Sequence, residues 1–174
     1  VCSSLKSKGV FDETSTRSLG SLGVTSTGYA YDYIVNQADL IIILGAGFNE
    51  RTSYLWNKTL LKNKKIIQVD LDVKQLEKVY LADLAIHADI KLTLSSLLLR
   101  LTQQAAEKKV LEDISVFKQK KDTHSEHNGT KVFNNDFSLI KHFYQSLHQF
   151  IDHNAIIFDD NIIFAQNFYP VRST

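Results

Sequence analysis

Leu40 to Tyr54 reads LIIILGAGFNERTSY: five aliphatic residues, then Gly-Ala-Gly, then a polar turn carrying an arginine. A continuous, β-branched-rich apolar run of this length is the pattern of a strand buried on both faces, as parallel sheets require. Glycines at the carboxyl end of such a strand can serve two purposes. They let backbone N–H groups approach a phosphate, or they only let the chain turn tightly. The dinucleotide fingerprint is G-x-G-x-x-G, and here Gly45 and Gly47 are present while Glu50 takes the third position. Two glycines leave both readings open.

Downstream, KIIQVDL (Lys65 to Leu71) predicts a second strand and Leu84 to His87 a short third. Between the first two, NERTSYLWNKTLLKNK predicts a loop and a short helix. From Ile90 to Glu107, Leu92, Leu94, Leu97, Leu98 and Leu101 recur at helical spacing and give a broad apolar face. Strand and helix alternating at this spacing predict an α/β fold, a parallel, doubly wound, Rossmann-like sheet. Upstream, the Gly-, Ser- and Thr-rich Lys8 to Thr27 predicts a long ordered loop, followed by a helix from Tyr29 to Gln37. Residues 108–135 turn polar with no sustained period, as a linker does. Phe137, Ile140, Phe143, Leu147, Phe150 and Ile151 then predict an amphipathic helix from near Asp136, leading into a strand at AIIFDD. One helix and one strand cannot make a stable domain. The expected organisation is an incomplete α/β domain over 1–107, a linker over 108–135, and a truncated piece of a second α/β domain over 136–174.

The composition excludes several classes. Lys and Arg number 20 against 19 Asp and Glu, a formal net charge of +1, so there is no basic field to attract nucleic acid. Cys2 is the one cysteine, which rules out a disulfide framework and a cysteine zinc site within the chain. A reducing, cytoplasmic setting is expected. No apolar run approaches the roughly 20 residues of a membrane span. The sequence holds no methionine, so residue 1 is not an encoded start and the chain is expected to be part of a longer protein.

Asp70 ends the second strand, where an acid takes ribose hydroxyls in dinucleotide folds or caps the next turn of the chain. Asp89 directly precedes the long helix and fits an N-cap. His124 and His127 fall in the linker without carboxylate or cysteine partners at ligand spacing, so no metal site is expected. Any ligand site belongs at the carboxyl edge of the sheet.

The order of motifs says more than each alone. SKGVFDETSTRSLGSLG (Ser7 to Gly23), QADLIIILGAGFNERTS (Gln37 to Ser53), KIIQVDLD (Lys65 to Asp72) and ADLAIHADI (Ala82 to Ile90) resemble the central domain of thiamine diphosphate-dependent enzymes of the acetolactate synthase, pyruvate oxidase and 2-keto acid decarboxylase type. AIIFDDNIIFAQNFYP (Ala155 to Pro170) resembles the opening of that family's C-terminal, cofactor-binding domain. The resemblance implies a parent enzyme that uses thiamine diphosphate and Mg2+ on a 2-keto acid, by decarboxylation or carboligation, as a homodimer or homotetramer. It places no catalytic residue here, because the activating glutamate belongs to the first domain and the G-D-G…N metal motif lies further on. In nucleotide-binding members the central domain holds FAD or an ADP-like group. The matching positions are Gly45, Gly47, Asn49 and Arg51 near the diphosphate or ribityl region, Asp70 near ribose, and Asp89 with Ile90 near adenine. Asp159, Asp160 and Asn161 match the approach to thiamine diphosphate. Departures point to an empty, scaffolding domain: Gly47 stands where flavin-binding relatives carry arginine, Val24-Thr25 where they carry Met-His, and Ala88 where they carry glycine. The alternatives are an NAD-dependent dehydrogenase domain, favoured by Gly-Ala-Gly and Asp70, and a nucleotide-binding module like that of sirtuins or deoxyhypusine synthase.

Overall fold

A computed structural model describes residues 1–103, 114, 117–118, 138–152 and 155–158. Most of the expected linker, with His124 and His127, lies outside the described residues, as do Asp159, Asp160 and Asn161. In chain order the elements are β1 (Ser3–Ser4), a 3-10 turn (Leu5–Ser7), β2 (Ser21–Leu22), α1 (Tyr29–Asn36), β3 (Leu40–Leu44), β4 (Lys65–Asp70), β5 (Leu84–His87), α2 (Ile90–Gln103) and α3 (Ser138–Phe150). They fall into two units, Ile34–Leu111, and Val1–Tyr33 with Glu112–Thr174.

Within Ile34–Leu111, the three expected strands form one parallel sheet of order β3-β4-β5. Leu40 pairs with Lys65 and Leu44 with Val69, while Ile67 pairs with Leu84 and Asp70 with His87. The central strand is the most enclosed, with Ile66, Gln68, Val69 and Asp70 all buried. Ile43, Phe48, Leu60 and Leu61 are buried with them. β3 departs from the expectation of burial on both faces: Ile43 is buried, but Leu40, Ile42 and Leu44 are 47%, 47% and 39% exposed. Those three alternate along the strand and so share one face, which no layer covers among the described residues. The leucines of α2 likewise form the expected apolar face, yet none is buried.

The short helix expected after β3 is not formed. Residues 50–63 make successive turns instead. Side chains there take backbone donors that a helix would use: Asn49 Oδ1 accepts from the Thr52 N–H at 2.9 Å, Ser53 Oγ from Trp56 at 3.0 Å, and Asn57 Oδ1 from Thr59 at 2.8 Å. Such local bonds compete with the i to i−4 ladder. Tyr54, Leu55 and Trp56 then enter the left-handed region at φ 53°, 59° and 61°, which no α-helix accommodates.

In the other unit, the Gly- and Ser-rich segment is ordered, and it contains two short parallel strands in the register Ser3 to Ser21 and Ser4 to Leu22. Glu13 braces it, pairing with Lys8 and accepting from Ser21 Oγ at 3.5 Å. The helix expected from near Asp136 is α3. Ala155–Phe158 form no strand, contrary to expectation, and are exposed. A strand needs a partner for its backbone groups, and these residues have none in a sheet.

Candidate functional site

The parallel register brings the carboxyl ends of three strands to one edge, within one unit. The Gly45 N–H donates to the Val69 carbonyl at 2.9 Å, and the Ala88 N–H to the Asp70 carbonyl at 3.1 Å. The Gly45–Gly47 turn, the segment after Asp70 and the turn into α2 therefore lie side by side, and this brings most of the expected site residues together.

Gly45 adopts φ +62°, which favours glycine. A Cβ there would also stand 2.9 Å from Ile90 Cδ1. Ile90 thus packs directly on the turn. A Cβ at Gly47 would overlap Gln75 Oε1. Both glycines face side chains of their own chain.

The polar residues are engaged locally. Asn49 caps its own turn through the Thr52 N–H. Arg51 is exposed. Asp70 is only 8% exposed, and its Oδ1 accepts the Asp72 N–H at 2.9 Å. Asp89 Oδ1 accepts the Leu92 N–H at 2.9 Å, the N-cap geometry its position suggests. Among the described residues no three His, Cys, Asp or Glu side chains gather as a metal site. No helix of the described residues is long and apolar enough to cross a membrane.

Two residues that the motifs do not mark organise this edge. Gln68, buried at 3% exposure, donates from Nε2 to the Gln75 carbonyl at 3.0 Å and accepts the Glu77 N–H at 2.8 Å. An amide in the middle of an apolar central strand was the available signal, since buried polar groups need partners. Tyr80 is the other. Its ring meets Phe48 edge to face at 5.0 Å, and its hydroxyl donates to the Asn57 carbonyl at 2.9 Å.

A parallel sheet with its turns gathered at one carboxyl edge defines an incomplete α/β domain of the Rossmann-like kind. The chain belongs to the thiamine pyrophosphate enzyme family: residues 1–97 match its central domain. The resemblance drawn from the order of motifs therefore holds. Among relatives, the acetolactate synthase large subunit of Cyanidium caldarium is 38% identical over 98 residues, covering 56% of this chain and 16% of the relative. That of Parasynechococcus marenigrum is 31% identical over 123 residues, covering 69% and 20%. The isozyme 3 large subunit of Escherichia coli is 31% identical over 136 residues, covering 72% and 23%. The chain thus spans about a fifth of the length of these relatives, and the last two likenesses take in more of it than the family match does.

Proposed function

We propose that the chain is the central portion of a thiamine diphosphate-dependent enzyme acting on 2-keto acids, in the manner of an acetolactate synthase. The observation that carries this reading is the family match over residues 1–97, together with acetolactate synthase relatives whose likeness runs past it. When bound, the cofactor supplies the electron sink for breaking or making a bond beside the keto carbonyl, and Mg2+ holds its diphosphate. On this reading the side chains that carry that chemistry belong to the other domains of the enzyme. The part of the described residues is architectural: the three-stranded sheet fixes the spacing between a preceding domain and the cofactor-binding domain that opens within 136–174, across the linker 108–135. Asp159, Asp160 and Asn161 are the positions assigned to the approach to thiamine diphosphate. The working enzyme is a cytoplasmic homodimer or homotetramer.

The test is expression from the complete reading frame and assay of pyruvate and other 2-keto acids with thiamine diphosphate and Mg2+. Cofactor-dependent consumption with release of CO2 is expected. A correctly folded, cofactor-saturated protein that turns over none of them would sink the reading.

A further inference from the structure

We infer that Gln75 shuts the carboxyl edge of this sheet at Gly47, so that the edge excludes an adenine nucleotide of the FAD or ADP kind. Local geometry alone carries this, independently of the proposed reaction.

A glycine turn cradles a diphosphate when its backbone lies open to the ligand. Here Gly45 is exposed, with Ile90 packed on one side of it, and Gly47 is half-buried with the tip of Gln75 against it. The atom of Gln75 that meets Gly47 is the carbonyl Oε1, with Lys78 Nζ at 3.5 Å from it and the amide Nε2 at 3.5 Å from Asp72 Oδ2. An acceptor oxygen thus occupies the place where a diphosphate needs a donor. Gly47 itself supplies no side-chain cation. The helix N-terminus that completes an anion site in this fold is also missing, since residues 50–63 form turns.

The closure is fastened. Gln68 uses both halves of its buried amide on the backbone of Gln75 and Glu77. The Gln75 N–H donates to the Asp72 carbonyl at 2.9 Å, and the carboxylate of Asp70 is turned to the Asp72 N–H, into the same segment. Because the fastening acts on the main chain of Gln75, its side-chain tip can be removed without releasing the segment. That separates closing from folding.

The experiment uses protein from the complete reading frame, with thiamine diphosphate and Mg2+ present to fill any other diphosphate site, and titrates ADP and FAD by calorimetry. The wild type is expected to show no saturable binding tighter than about 1 mM. Gln75→Ala should bind ADP at least tenfold more tightly than wild type, with an unchanged melting midpoint. If that variant fails to fold, Gln75→Ser is read the same way. Micromolar binding by the wild type, or equal ADP affinity with and without the Gln75 side chain, would each overturn the inference.

Discussion

Gln68 and Gln75 are joined from side chain to main chain: the amide of the one, buried in the central strand, donates at 3.0 Å to the carbonyl of the other. Gln68→Leu would take one hydrogen-bond partner each from the half-buried Gln75 carbonyl and the Glu77 N–H. Each hydrogen bond lost costs about 0.5–1.5 kcal/mol, so a clear fall in the urea midpoint is expected. Gln68→Glu would set a carboxylate in the same buried position with an oxygen against the Gln75 carbonyl, and should cost at least as much as leucine. Equal stability of all three would show that the segment after β4 is not held through this residue.

Asp89 makes a prediction of the opposite kind, local to one helix. Its carboxylate takes the Leu92 N–H at 2.9 Å, one of the donors that a helix leaves without an internal partner. Asp89→Ala should cost about 1 kcal/mol, and Asp89→Ser should recover most of it. Faster amide exchange at Leu92 in the alanine variant alone would identify capping as the cause. Unchanged exchange there would count against it.

At the opposite end of the sheet, Asp83 receives the Ile66 N–H at Oδ2 at 2.9 Å and Lys65 Nζ at Oδ1 at 3.0 Å. The Ile66 N–H, first, and the lysine, second, hold the carboxyl below its ordinary value. A carboxylate depressed in the folded state adds stability above its unfolded pKa and loses it as pH falls through the folded value. The melting midpoint of the wild type should therefore drop on acidification more steeply than that of Asp83→Asn. The two curves should converge at the acid end, and parallel curves across the acid range would remove Asp83 as a contributor.

How far the sequence carried depends on which interaction decides each element. β3, β4 and β5 were legible because apolar, β-branched runs have few alternatives to a sheet, and their order in the chain already implied parallel pairing. The segment 50–63 was not. Its apolar residues suggest a helix, while Asn49, Ser53 and Asn57 divert the backbone donors, and no periodicity count registers that competition. β1 and β2 carry no such signal, because two-residue strands, Ser3–Ser4 and Ser21–Leu22, have no pattern to read. At the candidate site, glycines and acids mark where an edge lies, whereas the side chain that stands on it is decided by tertiary contact. Gln75 lies 28 positions from Gly47 and belongs to no motif. Leu92 through Leu101 showed that α2 has an apolar face, but a face can be read from spacing when its cover cannot.

Leu60 and Leu98 separate buried from merely apolar. Leu60 is 0% exposed and Leu98, on α2, is 64% exposed. Truncating a fully enclosed leucine removes its transfer free energy and leaves a cavity, so Leu60→Ala should cost about 2–5 kcal/mol. Leu98→Ala gives up little buried surface, and surface changes usually stay within about 0.5 kcal/mol. Both substitutions delete the same atoms, so the difference between them measures enclosure alone. Chemical denaturation of the 174-residue chain with each substitution checks this. A loss at Leu98 equal to that at Leu60 would mean that α2 buries its leucine face in solution and that the sheet unit is more enclosed than its described residues show.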